Sequence, residues 1–230
     1  MNNTHTIILN LERSKSRKNA LISQLEQSGV SNYTFFPGFD GKDILNNSLS
    51  NIPILKGAGM GRNLMKNEIA VILSHIAALK HAKVMGYENV IILEDDVTIC
   101  KDWEPRLQSL LNALPENWEY VYLSGHSDYV KIPMYDKPTI IPAPKMIGAF
   151  AYLVNKAGID KLIKQCSEIV TTYDDMIMHK IYAKKLSGYL YLPFMVYHSG
   201  EESLIWDESP GHLAHNNNKH SSYNYFKENI

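Results

Sequence analysis

Apolar residues recur along this chain in two rhythms. Residues 6–11 (Thr-Ile-Ile-Leu-Asn-Leu) and 90–93 (Val-Ile-Ile-Leu) are short, continuous runs rich in β-branched side chains, the pattern of strands buried on both faces. Residues 33–36, 120–126, 147–154 and 189–198 carry weaker strand patterns, the last placed partly at a sheet edge by Pro193. Between them the period lengthens to that of a helix. One helix carries Leu21, Ile22 and Leu25 and stops at Gly29. A second, over 66–85, lines up Ile69, Ile72, Ile76 and Leu79 and ends at Gly86, where a helix C-cap favours glycine. Others are predicted over 103–114, from Asn155 towards Ser167, and from Thr171 to near Gly188. Residues 127–146 hold four prolines and read as irregular and extended. Strand and helix alternate throughout, which predicts an α/β fold: a three-layer sandwich around a mainly parallel sheet.

The strand over 90–93 breaks into Glu94-Asp95-Asp96. Acids at the carboxyl edge of a buried parallel strand lie where open α/β sheets bind ligands. Three adjacent carboxylates repel one another unless a cation or protons offset the charge. Side chains alternate along a strand, so Glu94 and Asp96 point the same way. A hard divalent ion such as Mg2+ or Mn2+ suits such a pair; a solvated acidic turn accounts for the triplet equally well.

Other candidates are scattered. Arg13 and Arg17, read as one helical turn apart, could meet a diphosphate, whereas Lys15 and Lys18 read as a solvated face. Phe39 and Asp40 sit in a Pro-Gly-Phe-Asp-Gly turn that could hold a base or ribose. The stretch 42–62 lacks a period and contains Gly57, Gly59 and Gly61, which makes it a candidate loop for closing over a substrate. His75, beside Ser74 within the apolar helix, reads first as a hydrogen-bonded core residue. Asp174 and Asp175 open a helix, where one acid suffices for the dipole and a second is free to act as a base.

Composition narrows the class. At 230 residues the chain suits one domain, with residues 207–230 a polar tail of low order. A net charge of −1 excludes nucleic acid as an expected partner. Cys100 and Cys166 match no metal spacing and fit a reducing compartment. The N-terminal residues lead us to expect no signal peptide, and no run approaches the roughly 20 apolar residues of a membrane span. The expected location is cytoplasmic, with peripheral attachment to a membrane surface left open.

Several stretches, taken in order, resemble glycosyltransferase family 25, the lipooligosaccharide and collagen galactosyltransferase group. They are Ile7 to Leu11 with Arg13 and Arg17, Phe39-Asp40-Gly41, Glu68-Ile69-Ala70 running into Ser74-His75, Leu93 to Val97, Gly148 to Tyr152, and Asp174-Asp175. They span most of residues 6–206, the expected catalytic domain within 1–206. Ala70 and Val71 stand where family members often carry Gly-Cys, a difference expected to affect packing. The resemblance implies a GT-A type, Rossmann-like fold and an inverting transfer of galactose or glucose from a UDP-sugar to a glycan or glycoprotein hydroxyl. It implies Mn2+ (or Mg2+) as cofactor, with Asp96 as direct ligand, Glu94 as a second and His198 as a further one. Glu94 or Asp95 would contact ribose or hold a metal-bound water. Asn10, Leu11, Arg13, Arg17 and Asp40 would bind the nucleotide, and Ser74 and His75 would shape the donor pocket. Asp175, or failing that Asp174, would be the base. Two other readings stand beside this one: a Mg2+-dependent phosphohydrolase, and a nucleotide-sugar binding protein without turnover.

Overall fold

The structure, a computed structural model, describes residues 4–44, 63–165 and 168–200. The substrate-closing loop expected before residue 63, Cys166 and the expected polar tail fall largely or wholly outside the described residues.

Nine strands and five α-helices follow one another among the described residues: β1 (Thr4–Asn10), α1 (Lys15–Gln27), β2 (Tyr33–Pro37), α2 (Lys66–Met85), β3 (Asn89–Glu94), β4 (Val97–Ile99), α3 (Trp103–Ala113), β5 (Tyr120–Tyr122), β6 (Thr139–Pro142), β7 (Ala151–Asn155), α4 (Lys156–Gln165), α5 (Tyr173–Tyr182), β8 (Gly188–Leu192) and β9 (Val196–His198). Seven strands form one sheet in the order β2-β1-β3-β7-β5-β8-β6. Five run parallel, while β7 and β6 run against their neighbours.

The continuous apolar strands divide their side chains between the two faces, as alternation demands. Ile7, Leu9, Val90 and Ile92 meet α2, α4 and α5 through Ile72, Leu79, Leu162 and Ile177. Ile8, Ile91 and Leu93 meet α1 and α3 through Leu21, Leu25, Trp103 and Leu110. Helices therefore cover both faces, giving the three-layer sandwich that the pattern predicts, Rossmann-like as the resemblance implies. Helix α2 has its expected bounds: Gly86 takes a left-handed φ of 71°, and the Gly86 and Tyr87 N–H groups donate to Lys83 and Ala82 carbonyls. Asn155 caps α4 as expected, its Oδ1 accepting from the Gly158 N–H at 2.8 Å.

Several local expectations need correction. The helix predicted to end near Gly188 stops at Tyr182, two residues before Lys184 takes a left-handed φ of 56°, and the strand predicted over 120–126 is regular only over Tyr120–Tyr122. The strand predicted over 189–198 is two strands: the chain turns at the cis Leu192–Pro193 bond, and β9 leaves the main sheet to pair with β4. The proline-rich stretch contains edge strand β6, tolerated because Pro142 closes it at the sheet margin. Residues 147–150 precede β7 rather than belonging to it, since Gly148 has a φ of +100° that no strand adopts. Helix α1 begins at Lys15, so Arg13 sits in the turn before it rather than one helical turn below Arg17.

From β1 the sheet grows to β2 on one side and to β3 on the other. That reversal opens a crevice at the carboxyl ends of β1 and β3, where doubly wound sheets bind ligands. Leu9 pairs with Glu94 at its floor.

Candidate functional site

The crevice is a cleft whose floor is Asn10 and Glu94, at the ends of β1 and β3. One wall is the β1–α1 turn with Leu11 and Arg13, continued by Arg17 of α1, facing the Phe39–Asp40 turn and Ser74 of α2. The other wall is made by Gly125 and His126 after β5, Gly148 to Phe150 before the antiparallel β7, and Tyr173 and Asp174 of α5. His126 and Ile147 bridge across this wall. His198 reaches the cleft because β9 pairs with β4, which sets His198 opposite Val97, next to the acids.

The three acids have distinct surroundings. Asp95 is held by Asn10, whose Nδ2 donates to Oδ2 at 2.6 Å, and by Arg17 Nη1, which donates to Oδ1 at 3.2 Å. Burial and the charge of Asp96 still raise its pKa, against the pull of Asn10 and Arg17. Asp96 receives Arg17 Nη1 at 3.3 Å and lies 3.4 Å from His198 Nε2. Burial opposes its charge, but His198 and Arg17 outweigh it and hold the carboxyl below its ordinary pKa. The reciprocal effect raises His198, whose burial alone would lower it.

Glu94 points elsewhere, towards α2. Its Oε1 is 3.3 Å from His75 Nε2, His75 Nδ1 is 3.1 Å from the Tyr152 hydroxyl, and that hydroxyl is 3.0 Å from the Tyr173 hydroxyl. His75 is fully buried, and desolvation drives its pKa down to about 3, although Asp174 pulls the other way. Burial and the neighbouring Asp96 push Glu94 up to about 8. Burial disfavours charge on both partners, so the contact is held as a hydrogen bond rather than by ionic attraction.

Arg13 pairs with Asp40, whose pKa falls because that guanidinium and the Lys42 N–H outweigh burial. Ser74 is a clamp: its hydroxyl accepts from the Phe39 N–H at 2.8 Å and donates to the Ala70 carbonyl at 2.7 Å, pinning the Phe39–Asp40 turn to α2. The two acids of α5 part company. Asp174 lines the cleft, and its Oδ2 accepts from the Gly148 N–H at 3.3 Å. Asp175 Oδ2 accepts from the hydroxyls of Thr171 and Thr172 at 3.2 and 3.1 Å, at the start of its own helix.

Among the described residues, no group of three His, Cys, Asp or Glu side chains is arranged to hold a metal ion as it stands. The donor chemistry nevertheless fits a hard cation completed by a phosphate ligand, which needs only one or two protein carboxylates. Asp96 Oδ1 is buried and has no hydrogen-bond partner, an acceptor that a cation would satisfy.

Of the residues that the sequence assigns to the site, Asn10, Leu11, Arg13, Arg17, Asp40, Ser74, His75, Glu94, Asp95, Asp96, Asp174 and His198 line this cleft, whereas Asp175, the first choice of base, does not. Sequence reasoning assigns no role to Tyr152 or Tyr173. The signal available was His75 itself: a buried imidazole requires partners on both nitrogens.

The family model described as glycosyltransferase family 25 (LPS biosynthesis protein) matches residues 3–178. A glycosyltransferase 25 family member of Aedes aegypti is 25% identical over 172 residues, 70% of this chain and 28% of that protein. Human procollagen galactosyltransferase 2 is 25% identical over 167 residues, covering 68% and 26%. A bovine protein named probable inactive glycosyltransferase 25 family member 3 is 23% identical over 167 residues, again 68% and 28%. The chain thus spans little more than a quarter of the length of these relatives.

Proposed function

Because the chain belongs to glycosyltransferase family 25, we propose that it transfers a hexose, galactose before glucose, from a UDP-sugar to a hydroxyl of a glycan or glycoprotein, with inversion. The observation that carries this reading is the acid triplet at the β1–β3 crevice, with Asp96 Oδ1 buried and unpartnered. Asp96 would hold Mn2+ or Mg2+ through its unpartnered Oδ1, with Glu94 and His198 the further candidate ligands, and the ion would supply a Lewis acid that offsets charge on the departing diphosphate. Asn10 and Arg17 brace Asp95, while Arg17 and His198 hold Asp96 by its Oδ2 and leave Oδ1 without a partner. Arg13 and Asp40, with Phe39, form the rim suited to the nucleoside. Asp174, rather than Asp175, is the candidate to take the proton from the acceptor hydroxyl, because it lines the cleft while Asp175 is engaged by two threonine hydroxyls.

The human relative's name supports galactose, and the bovine relative's name keeps a binding protein without turnover as the second reading. A phosphohydrolase that works through an aspartyl-phosphate is disfavoured, since such enzymes use an Asp on the first strand and the corresponding position here is Glu94, at the end of β3. No helix among the described residues is long and apolar enough to cross a membrane. Calorimetry of UDP-galactose, UDP-glucose, UDP and GDP, each with Mn2+ and with EDTA, tests the donor assignment. Binding of UDP that disappears with EDTA and in Asp96→Ala is expected; no metal-dependent preference for UDP over GDP would overturn it.

A further inference from the structure

His75 occupies the middle of α2 with no exposed surface, yet neither of its nitrogens ends on the backbone. An apolar side chain would fill this site without the cost of burying polar atoms, so the imidazole is retained for what it joins. Nε2 meets Glu94 in the cleft and Nδ1 meets the Tyr152 hydroxyl on β7, which continues to the Tyr173 hydroxyl on α5. The ring cannot turn away: Tyr173 stacks on it with centroids 4.3 Å apart and planes 12° from parallel, and Tyr152 lies 5.8 Å away. Glu94, by contrast, keeps 26% of its side-chain surface exposed and ends its strand. It is therefore the member of this chain that needs holding.

We propose that His75 is a positioning residue that fixes the Glu94 carboxyl in the cleft and ties it, through Tyr152, to Tyr173 at the start of the helix bearing Asp174. The donor-side carboxyl and the proposed base then rest on one rigid hydrogen-bonded chain drawn from β3, α2, β7 and α5. The inference rests on the preceding reading only in giving Glu94 a donor-site role; the contact itself does not depend on it.

Two measurements separate those layers. In urea unfolding with EDTA, a double-mutant cycle of His75→Phe and Glu94→Ala reads the contact without any donor. A coupling of about tenfold in the unfolding constant is expected, and additive effects overturn the proposal. In calorimetry with Mn2+ and UDP, His75→Phe keeps an aromatic ring but loses both nitrogens. It is expected to weaken binding about tenfold or more, and His75→Gln, whose amide can reach Glu94, to restore most of the loss. Equal losses in the two variants would mean that His75 only fills space. Tyr152→Phe removes one hydroxyl and serves if His75→Phe does not fold: a few-fold weakening is expected, and wild-type affinity overturns the chain beyond His75. Failure of the wild-type protein to bind UDP would sink the donor assignment while leaving the coupling measurement to decide the contact.

Discussion

Arg17 is the buried cation that makes the acid triplet tolerable, and its removal should register as lost stability that a divalent ion restores. Its side chain is 11% exposed and shares Nη1 between Asp95 Oδ1 at 3.2 Å and Asp96 Oδ2 at 3.3 Å, on carboxyl groups that are themselves 9% and 10% exposed. Arg17→Met keeps most of the stem and removes the charge. At an effective dielectric of about 20, each contact is worth about 4–5 kcal/mol of gross attraction. Much of that returns as solvation in the unfolded chain, and breaking a buried pair costs about 3–5 kcal/mol net. The low end applies here, since His198 still faces Asp96 and Asn10 still holds Asp95. A loss of about 3 kcal/mol lowers Tm by roughly 6–12 °C in a chain of this size. Scanning calorimetry in EDTA reads that loss. In millimolar Mn2+ the same variant should recover a large part of it, because the cation supplies the charge that Arg17 provided. A drop below about 2 °C in EDTA, or an equal drop with and without Mn2+, would refute the account of Arg17 as counter-charge to a metal-binding triplet.

Asp174→Asn should cut sugar transfer by about 10²–10⁴-fold while UDP affinity holds, and Asp175→Asn should cost far less; the reverse order in a turnover assay would move the base to Asp175. Gly41→Ala should destabilise the protein by about 1–3 kcal/mol in urea unfolding, because its new Cβ would stand 1.9 Å from Asn67 Oδ1 and 2.8 Å from Asn67 backbone atoms that cannot yield. Stability in EDTA should be nearly independent of pH from about 4.5 to 6.5 as far as His75 and Glu94 are concerned. The native pair holds one proton on Glu94 and the unfolded pair holds one on histidine. Below that window the unfolded pair binds two protons and stability falls as pH drops towards 3. Above it the unfolded pair binds none, and stability falls as pH rises towards 8. Urea midpoints across the range, compared with His75→Phe, check both slopes.

What the sequence made legible is what local pattern determines. The bounds of α2 followed from its apolar spacing and Gly86, and the faces of β1 and β3 from alternation. The acid triplet was legible because a buried strand that stops in charge must stop at an edge. Three features had no local signature. Hydrophobic period does not encode strand direction, so nothing marked β7 as antiparallel, and its reversal is what brings Gly148 to Phe150 to the cleft. The pairing of β9 with β4 depends on a contact about a hundred residues apart along the chain and on the turn at Pro193. That pairing alone puts His198 beside Asp96, so sequence placed the residue at a strand end without supplying its partner.

The choice between Asp174 and Asp175 shows the same limit at its smallest scale. Adjacent helical residues point about 100° apart, so when one of the two points squarely into the cleft the other points to its side. Which one is set by the rotation of α5, and that rotation is fixed by Tyr173, Met176 and Ile177 packing beneath it. Tyr173 is also the end of the hydrogen-bonded chain from Glu94. The same side chain therefore orients the helix that presents Asp174 and closes the contact that steadies the donor-side carboxyl. A substitution at Tyr173 should disturb both sides of the proposed reaction together, whereas one at Thr171 or Thr172 should disturb only Asp175.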